Sequence, residues 1–184
     1  MTFIETDLPG VVIIEPRVWK DARGYFFESY NEKSFTEAGI SPSFVQDNQS
    51  FSHKGTLRGL HGQSNPFAQG KLVRVIQGRV LDVAVDIRTG SPTYGKHVSV
   101  ELSGENFRML WIPPGFLHGF ATLEDNTIFT YKVTGLYDKS SEIGVRWDDA
   151  TLNIDWQLSR EEIIISEKDE VLPHFKDFKS PFSL

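Results

Sequence analysis

Residues 71–102 read KLVRVIQGRVLDVAVDIRTGSPTYGKHVSVEL, and their spacing decides the fold. In HVSVEL (97–102), Val98, Val100 and Leu102 alternate with His97, Ser99 and Glu101. Successive side chains of a strand point to opposite faces, so this is a strand with one apolar and one polar side. KLVRVI and RVLDVAVDI are rich in β-branched residues, and Gln77-Gly78 between them reads as a hairpin turn. Outward from this stretch, GVVIIEP and GYFFESY precede it, while RMLWI and TIFTYKV follow it. Ser103-Gly104-Glu105-Asn106 is a further turn cluster. NEKSFTEAG (31–39) reads as a helix with Asn31 as its cap and Gly39 as its stop, and SREEI (159–163) as a second short helix or a loop. Many short strands with little helix predict a mainly β protein: a β-sandwich, jelly roll or barrel.

The composition sets bounds on function. A chain of 184 residues with 39% hydrophobic and 24% charged residues is expected to form one domain with a real core. It contains no cysteine, so disulfides and thiolate metal sites are excluded. A net charge of -6 argues against a general nucleic-acid binder, so any anion site must be a local cluster of Arg and Lys. The first residues, MTFIETDLPG, have neither a basic segment nor an apolar core of signal-peptide type, and no run reaches transmembrane length. No membrane association and a cytoplasmic location are therefore expected.

Two of the five histidines stand in suggestive settings, His61 in LRGLHGQ and His118 in PPGFLHGF. PPGFLH is similar to the second motif of metal-binding cupins, but His61-Gly62-Gln63 lacks the second imidazole of the first motif. Lys71 stands near where a carboxylate ligand is wanted, and a cation beside a divalent ion is unfavourable. No metal is therefore expected. A metal-free histidine still serves as a general base if a carboxylate holds its ring, and Asp169, Asp82 and Asp86 are the candidates. In TIFTYKV, Phe129, Tyr131 and Val133 share a face, and the Tyr131 phenol remains protonated at neutral pH, ready to deliver a proton. DARGYFFES offers Arg23, Phe26 and Glu28: a guanidinium for phosphate, an aromatic for stacking and a carboxylate for a base N–H. FVQDNQS adds the amides Gln46 and Asn48. Taken singly, each of these side chains also fits an ordinary structural role. Strict alternation further places Arg58 and His61 on opposite faces of their strand, so their joint use of one site requires a bulge, which Gly59 can supply.

Taken in order, RGYFFE, FVQDNQS, LRGLHGQ, QGKLVRVIQGRVLDVAVDIR, SPTYGK, WIPPGFLHGF, YKVTGLY and ISEKD resemble the dTDP-4-dehydrorhamnose 3,5-epimerase family over nearly the whole chain. The resemblance implies a cupin-type jelly roll spanning residues 1–184, with a few short helices. N-terminal strands would lie at a homodimer interface and the C-terminal segment would close over the site. It implies a nucleotide-sugar substrate, a dTDP-linked 4-keto-6-deoxy sugar epimerised beside its ketone, with no metal or organic cofactor. By position, it makes His61 the base with Asp169 as its partner, Tyr131 the proton donor, and Lys71 the residue beside the sugar carbonyl. Arg58, His118 and Lys168 become substrate contacts. Arg23, Phe26, Glu28, Gln46 and Asn48 become the nucleotide set, part of it supplied by a partner subunit, and Tyr137 and Glu142 fall at binding positions. The sequence departs from the family at Gly62, where an aromatic residue is usual. That departure removes a large side chain beside the base and makes epimerisation at C3 or C5 alone, on a related nucleotide 4-keto-deoxysugar, the alternative outcome.

Overall fold

The computed structural model describes residues 1–184. In chain order its elements are β1 (Thr2–Glu5), β2 (Val12–Glu15), β3 (Trp19–Asp21), β4 (Gly24–Phe26), α1 (Glu32–Glu37), β5 (Gln46–Ser52) and β6 (Leu57–Gln63). They continue with β7 (Lys71–Gln77), β8 (Arg79–Asp86), β9 (His97–Ser103), β10 (Met109–Ile112), β11 (Phe116–Thr122), β12 (Thr127–Val133), β13 (Glu142–Gly144) and α2 (Glu167–Glu170). A six-stranded sheet in the order β1-β2-β10-β7-β12-β5 faces a five-stranded sheet in the order β13-β6-β11-β8-β9, and β3-β4 form a separate hairpin. All named strand pairs are antiparallel. This is the expected jelly-roll sandwich.

From β5 to β8, and again from β9 to β13, each successive strand lies in the opposite sheet. Gln77-Gly78 is therefore not a hairpin turn: β7 pairs with β10 and β12, whereas β8 pairs with β9 and β11. Gly78 instead carries the chain across the sandwich at φ +81°, where a Cβ would lie 2.2 Å from the Thr127 Oγ1. A glycine between two strands signals a reversal, and the signal does not say whether the strands then pair.

Apolar faces meet between the sheets. Val73 and Val75 of β7, Leu110 and Ile112 of β10 and Phe129 of β12 pack against Val80 and Ala84 of β8, Val100 and Leu102 of β9, and Phe116 and Phe120 of β11. The predicted face of HVSVEL is thus the core face. RVLDVAVDI lacks that alternation because β8 is covered on both sides: Leu81, Val83 and Val85 pack outward against Val145, Leu152 and Trp156 of the C-terminal segment. On the far side of the six-stranded sheet, α1 places Phe35 over Ile14, Leu72 and Met109. That helix starts as expected, with the Asn31 side chain accepting from the Ser34 N–H, and Gly39 follows it at φ +78°. SREEI forms a turn, and the second helix is α2. No helix is long and apolar enough to cross a membrane.

Candidate active site

Strand β6 carries the first half of the site, and a bulge shapes it. Against β11, His61 pairs with His118 but Arg58 pairs with Phe120, a shift of one residue. The shift turns Arg58 to the same cavity as His61, which resolves the opposite-face conflict read from the sequence. Gly59 sits in the bulge at φ +119°, and a Cβ there would lie 2.6 Å from the Gly119 Cα and 2.7 Å from the His118 carbonyl oxygen. Neither backbone atom can give way cheaply. Gly59→Ala is therefore expected to destabilise the fold by at least about 2 kcal/mol and to lower turnover, measured by urea denaturation and steady-state rates. Unchanged stability would show that the β6–β11 pairing adapts.

A cavity of about 500 Å³ opens between the sheets. Arg58 and His61 (β6) and His118 (β11) line it from the five-stranded sheet, Lys71 (β7) and Tyr131 (β12) from the six-stranded sheet, and Lys168 and Asp169 from α2. Its floor is a stack of Phe120 on Phe129, one ring from each sheet, with centroids 4.2 Å apart and planes 17° from parallel. His61, Lys71 and Tyr131 also line a second chamber of about 380 Å³, with Gln46, Asn48, Tyr137 and Glu142. The three shared residues stand where the chambers join.

The His61 Nε2 lies 2.6 Å from the Asp169 Oδ1, while the Gly59 N–H donates to the other carboxylate oxygen at 3.4 Å. Burial opposes the Asp169 charge, but His61, Gly59 and Ser166 outweigh it and hold the carboxyl below its ordinary range. An ionised carboxylate only accepts, so Nε2 carries the hydrogen and Nδ1 is left to take a proton. The Tyr131 phenol is pushed up by burial, against the pull of Arg58, and so stays protonated well above neutral pH. Lys71 is lowered to about 8 by desolvation, which Asp82 and Glu142 only partly offset. The His118 Nε2 meets the Asp82 Oδ2 at 2.9 Å, and burial pushes this imidazole down, toward its neutral form. Of the three carboxylates considered as partners for His61, Asp169 takes the place. Asp82 serves His118, and Asp86 is bound by Arg88, Ser91 and Thr93.

Eleven of the fourteen candidate residues thus gather around one joined cavity. At its rim, Lys168 is paired with Glu142, which also accepts from the Tyr137 hydroxyl at 3.3 Å, and the Gln46 side chain donates to Asn48 at 2.7 Å. Arg23, Phe26 and Glu28 are not among the lining residues. Arg23 is bonded to Asp21 on the β3-β4 hairpin, where Trp19, Tyr25 and Phe26 are exposed. Gly62 itself lines the second chamber, but a Cβ on it would lie 3.2 Å from Leu117 and 3.4 Å from Ile143, so a side chain there starts away from the base. Gln63 was missed. Its amide donates to the Phe67 and Leu136 carbonyls and accepts from the Asp138 N–H, tying together the two loops that frame the second chamber. Its place two residues after His61, on the same face, was the available signal. No group of three His, Asp or Glu side chains converges in a metal-holding arrangement.

One sheet carries a group able to take a proton and the other a group able to give one, across a gap with a cation in its wall. Such an arrangement on a cupin-type fold is suited to isomerisation by proton transfer. A sequence profile described as dTDP-4-dehydrorhamnose 3,5-epimerase matches residues 5–177. The chain is 54% identical over 170 residues to the dTDP-4-dehydrorhamnose 3,5-epimerase of Shigella flexneri, covering 92% of this chain and 93% of that one. Among solved structures, the enzyme of the same description from Elizabethkingia anophelis NUHP1 superposes with a TM-score of 0.93 at 49% identity, covering 96% and 97% of the two chains. The dTDP-6-deoxy-D-glucose-3,5-epimerase of Legionella pneumophila, in complex with dTDP-4-keto-L-rhamnose, gives 0.93 at 48% identity, covering 97% and 94%. The chain belongs to the dTDP-4-dehydrorhamnose 3,5-epimerase family.

Proposed function

We propose that this chain inverts C3 and C5 of dTDP-4-dehydro-6-deoxy-D-glucose to give dTDP-4-dehydro-L-rhamnose, with His61 as base and Tyr131 as acid. The observation that carries the assignment is the His61–Asp169 pair on one wall of a cavity whose opposite wall presents Tyr131. Hydrogens on the carbons flanking a ketone are acidic because the electrons left behind delocalise onto oxygen as an enolate. His61 removes such a proton through Nδ1, and Asp169 stabilises the imidazolium that forms. Tyr131 returns a proton to the other face of the carbon, so the configuration inverts. Lys71, cationic at neutral pH, stabilises the enolate oxygen, an effect that is strong where water is scarce. Each positioned proton transfer contributes about 10²–10⁴-fold.

Arg58, His118 and Lys168 contact the diphosphate and sugar, and Gln46, Asn48, Tyr137 and Glu142 hold the remainder in the second chamber. The exposed aromatic hairpin β3-β4, whose residues do not line its own cavity, supports a homodimer in which Arg23, Phe26 and Glu28 of each chain serve the other's nucleotide. A single cytoplasmic jelly-roll domain with no cofactor completes this reading.

Incubation with dTDP-4-dehydro-6-deoxy-D-glucose in D₂O tests it. Deuterium at both C3 and C5 with inverted configuration is expected by NMR and mass spectrometry, whereas label at one carbon would reduce the activity to a single epimerisation. In Tyr131→Phe, deuterium wash-in at the substrate's own configuration is expected to survive at least about tenfold better than inversion. Equal loss of both would remove Tyr131 from the acid role.

A further inference from the structure

We propose that Arg146 is the positioning residue that latches α2, and with it Asp169, against the strand carrying His61. The base pair is assembled from two separate elements, and one of them is slight. His61 belongs to β6, inside a sheet, while Asp169 belongs to a four-residue helix followed by exposed Val171. A single helical turn does not hold its own position. Ser166 caps its start, Lys168 is paired with Glu142 of β13 and the Gly59 N–H reaches the Asp169 carboxylate at 3.4 Å, while Arg146 holds its end.

Arg146 is built for that task. Its Nη1 donates to the Glu170 carbonyl, the residue after Asp169, at 2.7 Å, and its backbone N–H donates to the Pro173 carbonyl at 3.0 Å. Its guanidinium is fixed by a two-pronged contact with Asp148, Nε and Nη2 each at 2.9 Å. Arg160 braces Asp148 in turn at 3.6 Å. The residue before Arg146, Val145, exchanges backbone hydrogen bonds with Leu60, the residue before His61. The Arg146 side chain thus ties the end of α2 to a segment whose backbone is paired with β6, and the relative placement of the two elements sets the 2.6 Å His61–Asp169 contact. Misplacement of a catalytic group by about 1 Å costs on the order of 10²-fold.

This inference rests on the assignment of His61–Asp169 as the base. Arg146→Gln is expected to lower kcat about 10–100-fold with KM changed less than about threefold, by analogy with the loss of other groups that orient a catalytic side chain. The downfield N–H proton resonance of the His61–Asp169 hydrogen bond is expected to broaden or vanish, and Arg146→Lys to recover part of both, since an ammonium still reaches the Glu170 carbonyl. In an Asp169→Asn background, Arg146→Gln is expected to cost almost nothing further, because the group it positions is already gone. If Arg146→Gln does not fold, Asp148→Asn loosens the same guanidinium while keeping Arg146, and the same pattern at smaller amplitude is expected. Intact kcat and an intact resonance in a folded variant would overturn the latch, as would a full additive loss in the double variant. An impaired Asp169→Asn with an unimpaired Arg146→Gln would overturn the latch alone. Full activity in Asp169→Asn would overturn the base assignment and the latch with it.

Discussion

His61→Ala is expected to lower turnover by about 10³-fold or more and to abolish deuterium exchange at both C3 and C5. In the proposed mechanism one imidazole serves both carbons that flank the ketone, so the two losses belong together. Nucleotide binding should survive. His61 lies where the two chambers join, while the groups suited to a diphosphate, Arg58 and Lys168, stand elsewhere on the wall. Calorimetric titration with dTDP and exchange in D₂O separate the outcomes, and lost dTDP binding with preserved exchange would sink the role. The substitution leaves Asp169, which is only 3% exposed, without its main partner, though Gly59 still donates to it. A stability loss of about 1–2 kcal/mol is expected, too little to account for the rate.

Lys71→Met is expected to do something opposite to the fold: lower activity by about 10²–10³-fold while raising stability. Folding strips water from the ammonium and lowers it from 10.5 to about 8, so the folded state disfavours the charge. At neutral pH, where Lys71 is charged in both folded and unfolded chains, methionine removes that cost, a gain on the order of 1–3 kcal/mol. As pH rises from about 8 toward 10.5, wild-type Lys71 sheds its proton in the folded state and the advantage of methionine shrinks. The rate carries the matching signature. Wild-type kcat/KM is expected to fall as pH rises through about 8, and Tyr131, pushed upward by burial, does not contribute there. In the variant this limb is absent. Denaturation and rate profiles between pH 6 and about 10 test both halves, and a destabilised Lys71→Met would mean that the attraction of Asp82 and Glu142 outweighs desolvation.

Much of this was legible in the sequence, for reasons that differ by residue. The β class followed from period-two spacing, because HVSVEL buries one face and leaves the other in water. The need for a bulge at Gly59 followed from the same rule applied to Arg58 and His61. Sheet assignment was not legible. Gly78 looks the same to a sequence reader whether it closes a hairpin or carries the chain across the sandwich, and only packing between distant strands decides. The choice of Asp169 over Asp82 as the partner of His61 was likewise a tertiary matter, since residue separations of 108 and 21 say nothing about which carboxylate folds inward. The resemblance to the family supplied that pairing, and the geometry agrees. The direction of Gly62 needed a backbone: the resemblance placed an aromatic beside the base, while a side chain there starts toward Leu117 and Ile143. Arg146 gave no signal, because its role lies in reaching a carbonyl on a helix 24 residues away.

The Phe120–Phe129 stack has a consequence for how variants of this protein can be interpreted. Tyr131 and His61 sit on different sheets, and the distance between the sheets beneath them is propped by two hydrocarbon rings with no group to give or take a proton. The stack works like the fixed jaw-stop of a vice. Charges on the two sheets above it are therefore expected to be exchangeable one at a time with the opening keeping its width, so that rate changes from substitutions at His61, Lys71 or Tyr131 register chemistry and not a change of aperture.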